Sequence, residues 1–486
     1  MKALELLQSI FKTHDIPKHL HDIEIQNIHH DSREINAGDL FIAFNGTESD
    51  GHAFISSAIE RGAALILSER ELDESISVPY LQIQNPRETI AKLAQAFYMK
   101  DRTYPIMVGI TGTNGKTTTS IMIHDIFQSS GHSCAQFGTL FYKVNGEQYP
   151  SLNSTPDAIT LHRYLANCQD DVVIMEISSH GIHQFRTHGL TFDYLIFTNL
   201  YHDHLDYHAD MEEYFQVKSS LFRQLKPDGY GIIFADQDWG EKLLEQWSDS
   251  RFHSIGTHPS ADFYGDPDQS SLHHKNGVIS FNVTVPGTHN FLNASMAAAA
   301  SYLAGLPTHV IEDTLSNHVH VPGRFEQFNH PENAKVVVDY AHTEDAFYHL
   351  LSTAKQAGAN SIYHVFGFRG NRDLSKRKGM LQTSALYADH YILTSDDFNN
   401  VSPEDMHEQL NVIQSLHGQQ NGTIIFDRTE AIYYAWNLLK EGDWLLITGK
   451  GHENYQQHYM YPADSDIEWV KALIDSTPQS PLQNQS

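Results

Sequence analysis

The segment TGTNGKTTT, residues 111–119 of this 486-residue chain, has residue types and spacing that imply phosphate chemistry. Gly112 and Gly115 carry no side chains, so backbone N–H groups can close around a polyphosphate. Lys116 is expected to reach the β and γ phosphates as a point charge, and Thr117 to place its hydroxyl on Mg²⁺. The strict pattern G-x-x-x-x-G-K-[ST] is not met, because its first glycine would fall at Ile110 and the nearest glycine is Gly109. The segment still follows an apolar strand and opens a helix, the context a phosphate loop requires. ATP or GTP is the expected ligand.

A second concentration of reactive types lies in FTNLYHDHLDYH, where His202, Asp203, His204, Asp206 and His208 crowd together. A metallohydrolase pattern H-x-H-x-D-H fails by one place, since its last histidine would be Tyr207. Nucleotide chemistry would use one histidine in the Mg²⁺ shell at the end of a strand, and His204 is the candidate. His202 and His208 read as parts of a hydrated loop. Glu176 closes the apolar run DVVIMEIS, where a charge is costly without a partner, and Mg²⁺ at the phosphate loop would be one. Lys218 in YFQVKSSLF reads, by itself, as a solvated helix lysine.

These groups need a frame. Buried strands are expected at 106–110, 171–178, 193–200 and 231–235, with helices between them and a phosphate-loop helix from about Lys116. Before them, HAFISSAIERGAALILSER reads as a helix ending near Gly62 followed by a strand at 63–67. The alanine-rich NASMAAAASYLAG reads as a helix stopped by Gly305 and Pro307. After the turn-like VPGR, strands at 335–340, 361–367, 390–394, 423–426 and 444–448 alternate with helices, which predicts a Rossmann-like open sheet. The fold expected is α/β in three domains: 1–100, small and α/β; 101–324, with a P-loop and a mostly parallel sheet; and 325–475, Rossmann-like. Residues 476–486 are polar and proline-containing and are expected to be a disordered tail.

Composition narrows the partners. Lys and Arg number 32 against 60 Asp and Glu, for a net charge of −28, which argues against nucleic acid and anionic membranes as partners. No apolar run approaches a membrane span, no signal peptide is recognisable, and Cys134 and Cys168 form no disulfide framework, so a cytoplasmic monomer is expected. The 32 histidines are as many as the strong bases. Their protonation near pH 5.5 would cancel roughly 25 to 30 negative charges and lower solubility. The bases Lys116, Arg186, Arg324, Arg372, Lys376, Arg377 and Lys450 are expected to line an anion-binding cleft.

Taken together, TGTNGKTT, MEISSH, FTNLYHDHLDYH, YFQVKSSLF, VPGRFE, DYAHT, GNRDLSKR and GKGHENYQ stand in an order that resembles the Mur ligases, specifically the branch that adds the third amino acid of the peptidoglycan peptide. DSREINAGDLFIAFNGTESDGHAFI in the first block agrees, and the resemblance runs from about residue 25 to 457. It implies an N-terminal domain for the UDP-sugar, a central ATP domain and a C-terminal domain for the amino acid. ATP would phosphorylate the carboxylate of UDP-MurNAc-L-Ala-D-Glu. The incoming amine would attack the acyl phosphate and expel phosphate, with cations neutralising charge at the γ-phosphate.

By the same resemblance, Ser32 and His52 would face the uridine end. Asn153, Ser154, Thr155, Ser178, Gln184 and Arg186 would hold the muramoyl peptide and its phosphates. Gly112, Thr113, Asn114, Gly115, Lys116, Thr117 and Thr118 would cradle ATP, with Thr117, Glu176 and His204 around Mg²⁺. Lys218 matches a lysine that the family carbamylates, which would let it hold a second Mg²⁺. Asn290 and Asn293 would lie at the adenine, and Arg324 and Asp339 would contact the nucleotide on domain closure.

The acceptor amino acid would be read by Arg377, by the segment Asp396, Asp397, Phe398, Asn399, and by Gly449 and Glu453. Relatives that use meso-diaminopimelate often read D-N-P-R in that segment, and an arginine there can grip the distal carboxylate. Here the position is Asn399, and the acidic pair Asp396–Asp397 favours L-lysine or a similar diamine over diaminopimelate. Glu344 replaces the proline expected after DYAHT, Arg369 replaces a common glycine, and the acidic motif downstream of GKGHE is blurred into PADSDIEW. These departures leave room for a relative with another acceptor, such as a polyglutamate-type ligase, although such relatives need no UDP-binding domain. A non-catalytic nucleotide-binding descendant need not keep Lys116, Glu176, His204 and Lys218 together.

Overall fold

The computed structural model describes residues 1–46, 49–73, 76–317 and 321–476. The proposed tail beyond Ser476 lies outside the described residues. Among them the strands form three sheets, and the chain divides into two compact units. The first unit comprises residues 1–111, 131–195 and 217–231, and the second 112–130, 196–216 and 232–486.

The first unit opens with a four-stranded parallel sheet in the order Ile28–His29, Leu40–Ala43, Leu65–Ser68, Tyr80–Gln82. The two middle strands are buried throughout, which is why they read as short apolar runs rather than as alternating ones. Helix Ile55–Glu60 lies between them in the chain and leads into Leu65–Ser68, and Gly62 at φ +97° makes the left-handed turn that ends it. The apolar core of this sheet includes Leu40, Ile42, Leu65, Leu67, Ile90 and Leu93, and it extends to Ala158 and Ile159. Those two residues begin helix Ala158–Asn167, whose Asp157 caps the backbone N–H groups of Ile159 and Thr160.

Six successive strands of an eleven-stranded central sheet run in the order Phe192–Phe197, Ile106–Thr111, Val172–Glu176, Cys134–Phe137, Phe141–Val144, Glu147–Pro150. Ile106–Thr111 and Cys134–Phe137 both pair in parallel with Val172–Glu176. The expected strands at 106–110, 171–178 and 193–200 are therefore present, at 106–111, 172–176 and 192–197. The expected strand at 231–235 begins earlier, at Leu225, because Lys226–Gly229 looks turn-like in sequence yet continues the ladder. The hairpin Phe141–Val144 with Glu147–Pro150 was not expected.

In the second unit, helix Lys116–Ser129 packs with the alanine-rich helix Thr288–Leu303, which ends at Gly305 as expected. Its C-terminal sheet has the order Glu326–Asn329, Lys335–Asp339, Trp444–Thr448, Ile362–Phe368, His390–Ser395, Gly422–Ile424. All neighbours are parallel except the first pair, an edge hairpin that sequence periodicity did not reveal. Three adjacent parallel strands deliver Gly449, Arg369 and Asp396 directly past their carboxyl ends, where open α/β sheets gather ligands.

Among the described residues no helix is long and apolar enough to cross a membrane. The protonation expected near pH 5.5 applies to free histidines, and buried ones are exceptions to it. Burial pushes His162 down to about 4 and His364 to about 3, so buried rings stay neutral there.

Candidate active site

The phosphate loop lies in the second unit. Its glycines are required: φ is +147° at Gly112 and +83° at Gly115, and a Cβ would strike Thr198 Oγ1 at the first and the Asn293 side chain at the second. The loop is laced to the residues after strand Phe192–Phe197. Asn114 N donates to Asn199 Oδ1 at 2.8 Å, Thr198 Oγ1 donates to the Asn114 carbonyl at 2.6 Å, and Tyr201 N donates to Thr113 Oγ1 at 3.0 Å. Thr113 Oγ1 and Tyr214 Oη lie 3.1 Å apart. Lys116 Nζ donates to the carbonyls of Gly112 and Thr113 at 2.9 and 2.8 Å. Thr117 and Thr118 are buried in the first helical turn. Sequence reasoning missed Thr198, Asn199 and Tyr214, although FTN directly after an apolar strand was a usable signal.

Groups from the C-terminal block reach this loop within the same unit. Arg324 Nη2 donates to Thr117 Oγ1 at 3.4 Å, and Asn114 Nδ2 donates to Thr343 Oγ1 at 3.2 Å. Asp339 accepts the backbone N–H groups of Phe325 and Ala341, each at 2.6 Å. Burial raises its carboxyl above the usual range against the pull of Arg324. Asn293 stands beside Gly115, and Asn290 donates to the Pro286 carbonyl at 2.8 Å.

The histidine-rich segment resolves around Asp203. This carboxylate is 4% exposed, accepts from Lys376 Nζ at 2.8 Å, and has the His204 and His342 Nε2 atoms each at 3.5 Å. Burial opposes its charge, but His204, His342 and Lys376 hold it well below the usual carboxylate range. His204 keeps left-handed backbone (φ +58°), and its side chain is 37% exposed. His202 pairs with Ser375 and Asp373. His208 is not in a hydrated loop as expected: it is 2% exposed and packs on Tyr214.

In the first unit the residues expected for the muramoyl peptide converge. Arg186 Nη1 donates to the Thr155 carbonyl at 2.7 Å and Nη2 to Gln184 Oε1 at 2.9 Å. Thr155 Oγ1 donates to the Glu176 carbonyl at 3.0 Å and accepts from Ser178 N at 2.9 Å. Ser178 Oγ caps the short helix Ser179–His183 by accepting from Gly181 N. Glu176 is 1% exposed and accepts from Thr139 N at 2.9 Å and Thr139 Oγ1 at 3.0 Å, while Thr139 Oγ1 lies 2.9 Å from Ser154 Oγ. Asn153 is fixed by Tyr142, whose hydroxyl accepts from its N–H at 3.1 Å. Thr139 and Arg87, which donates to Gln184 at 3.3 Å, were not foreseen.

Lys218 is not the solvated lysine that its helix alone suggests. It is 1% exposed, with Nζ 3.4 Å from Thr111 Oγ1. In the N-terminal block Ser32 is buried, and His52 Nδ1 lies 2.6 Å from Asp50 Oδ1. Hydrogen bonds from His52 and then Arg70 lower Asp50 to about 2.

The acceptor residues, in the second unit, differ most from expectation. Asp396 and Asp397 do not offer an open acidic surface: they are 1% and 2% exposed. Lys450, fully buried, donates to Asp397 Oδ1 at 2.6 Å and to Asp396 Oδ1 at 3.4 Å. Burial opposes the Asp396 charge, but Arg369 and Lys450 hold it down at about 2, while burial and Asp396 push Asp397 up. Arg369 donates to the Gly449 carbonyl at 3.1 Å and to Glu453. Arg377 is buried, donates to Gln409 and to the Arg369 carbonyl, and burial lowers it to about 10. Asn399 donates to the Gly370 carbonyl at 3.0 Å, so its amide closes a loop. Lys450 and Arg377 thus belong to buried networks rather than to a cleft lining.

A phosphate loop braced by a strand-end FTN, a buried carboxylate and a Rossmann-like domain carrying an ion cluster define a nucleotide-dependent α/β enzyme. Three family models match the chain: Mur ligase family, catalytic domain, at 24–98; Mur ligase middle domain at 110–301; and Mur ligase, glutamate ligase domain, at 323–451. A Bacillus velezensis protein named UDP-N-acetylmuramoyl-L-alanyl-D-glutamate–2,6-diaminopimelate ligase is 36% identical over 477 residues, covering 94% of this chain and 95% of its own. One of the same name from Aquifex aeolicus is 36% identical over 459 residues, covering 93% and 94%. A solved structure of a ligase of that name superposes with a TM-score of 0.67 at 28% identity, covering 97% of this chain and 98% of its own. The chain belongs to the Mur ligase family and is an ATP-dependent amide ligase.

Proposed function

We propose that this enzyme extends UDP-MurNAc-L-Ala-D-Glu by one amino acid in peptidoglycan precursor synthesis. The observation that carries this is the hydrogen-bonded cluster of Thr155, Ser178, Gln184 and Arg186 with Glu176 and Ser154 in a chain whose phosphate loop is intact. Arg186 presents a guanidinium already oriented by two acceptors, suited to an anionic donor substrate. The loop N–H groups and Lys116 bind the polyphosphate of ATP, and Arg324 adds positive charge beside Thr117.

By the family resemblance Thr117, Glu176 and His204 would serve Mg²⁺, and Lys218 would join them as a carbamate. The donors present fit such an ion. Among the described residues no three His, Cys, Asp or Glu side chains gather as a metal cage, and Mg²⁺ takes only one or two protein carboxylates alongside phosphate oxygens and water. When bound, Mg²⁺ would neutralise charge on the transferring phosphoryl group. The reaction then follows from positioning. A carboxylate oxygen of the donor takes the phosphoryl group, the acceptor amine attacks the acyl carbon, and phosphate leaves with that oxygen.

The lysine preference expected from Asp396–Asp397 loses its physical basis, since Lys450 and Arg369 already balance the pair. The relatives' names point instead to 2,6-diaminopimelate. The test is phosphate release from ATP with UDP-MurNAc-dipeptide across a panel of amino acids. Release that depends on both dipeptide and one amino acid is expected; none with any amino acid removes this donor. Lys218→Ala should lose most activity and regain part with added short carboxylic acids, and full activity in that variant would refute the carbamate.

A further inference from the structure

Gly449, Glu453 and Asp396, all expected to read the acceptor, share a neighbour that the family pattern does not contain. Arg369 follows strand Ile362–Phe368, in the register position where a glycine is common. Its Nη2 donates to the Gly449 carbonyl at 3.1 Å and to the Glu453 carboxylate. Its Nε lies 3.8 Å from Asp396 Oδ1, beyond hydrogen-bond distance, and is a buried donor with no hydrogen-bond partner. The guanidinium also faces the Tyr340 ring at 5.7 Å. Lys450 has no exposure, whereas the Arg369 side chain keeps 23%.

These contacts have two consequences. A carbonyl and two carboxylates that could receive an ammonium group are already turned toward Arg369. An ammonium-ended side chain would also meet a like charge, while a carboxylate would meet a partly exposed guanidinium. The arginine missing at Asn399 is thereby offset by one on the neighbouring strand end.

We propose that Arg369 is the specificity-determining residue of the acceptor site, and that it selects an amino acid whose side chain ends in a carboxylate, with an ammonium at that end contributing little. The proposal rests on the amide-ligase reading above, and its test separates the two. Three acceptors share carbons one to six and differ in what the sixth carbon carries: L-lysine (ammonium), L-2-aminopimelate (carboxylate) and meso-2,6-diaminopimelate (both). Calorimetric binding to the full chain with a non-hydrolysable ATP analogue, Mg²⁺ and UDP-MurNAc-dipeptide ranks them without turnover, and kcat/KM ranks them with it.

We expect 2-aminopimelate to bind at least 100-fold better than lysine and within about fivefold of diaminopimelate. Arg369→Gly should narrow the gap between 2-aminopimelate and lysine at least tenfold, through KM for the acceptor, with KM for ATP unchanged. Arg369→Lys should restore part of the gap. A preference for lysine, a 100-fold advantage of diaminopimelate over 2-aminopimelate, equal losses on all three in Arg369→Gly, or no binding by any of them would overturn the proposal. Ranked binding without turnover would instead indict the donor assignment alone.

Discussion

The cluster around Arg186, proposed to hold the donor, and the cluster around Arg369, proposed to hold the acceptor, are built on opposite principles. The first is mostly neutral hydroxyl, amide and carbonyl groups passing hydrogen bonds, with one arginine oriented by Gln184 and the Thr155 carbonyl. The second is a closed set of charges, with Lys450 and Arg369 against Asp396, Asp397 and Glu453. A neutral relay can lose a member and keep its fold, because the remaining groups are not stranded as charges. The fully buried part of the second, Lys450 with Asp396 and Asp397, is less tolerant, since removing that cation leaves an uncompensated charge. Stability should therefore reside in the buried Lys450 pairs with Asp396 and Asp397, and donor affinity in the cluster around Arg186.

The strongest way to break this contrast is Lys450→Met. It strands two buried carboxylates and should cost about 3–5 kcal/mol of unfolding free energy in urea titrations. A cost below ~1 kcal/mol, the range of exposed pairs, would show that the cluster is not held by charge. Arg186→Ala should do the reverse. Loss of charge-assisted hydrogen bonds of about 1.5–3 kcal/mol lowers kcat/KM for the dipeptide roughly 10- to 100-fold with the melting temperature nearly unchanged.

A third test uses pH. His162, fully buried in helix Ala158–Asn167, titrates at about 4 in the folded chain because of burial, against 6.5 for an ordinary histidine. The unfolded chain binds the extra proton first. This contribution is whole above pH 6.5, is lost as pH falls toward about 4, and is then constant. Its slope is about 1.4 kcal/mol per pH unit within that window. Asp396, held at about 2, loses its contribution only below the ordinary carboxylate value of 3.8, so the two windows separate. His162→Leu should flatten the upper window in chemical denaturation at pH 6.5 to 4.5; an unchanged slope would remove the assignment. The smallest effect is expected of Asn399→Ala, about 1 kcal/mol from one loop hydrogen bond, with acceptor ranking unaltered in steady-state rates.

Both clusters were visible in the sequence to different depths. The phosphate loop and Glu176 were legible because glycine spacing and a carboxylate ending a buried strand each have few physical uses, whereas the SSHGIHQFR residues stood out only through the family resemblance. Thr139 and Asn199 were not, because a hydroxyl or amide on a loop gains its role from a partner far along the chain. The acidic pair misled for the same reason. Two aspartates in a row look exposed until Lys450 and Arg369 arrive from neighbouring strand ends. Strands buried on both faces were read almost to the residue, while the edge hairpins, with weaker apolar patterns, were missed.

The central claim is that a donor carboxylate is phosphorylated and then displaced by an amine. Turnover of UDP-MurNAc-dipeptide carrying ¹⁸O in that carboxylate, with mass analysis of the released phosphate, tests it most directly. The account predicts one ¹⁸O atom in the phosphate for each amide formed. Amide formation with unlabelled phosphate would contradict it.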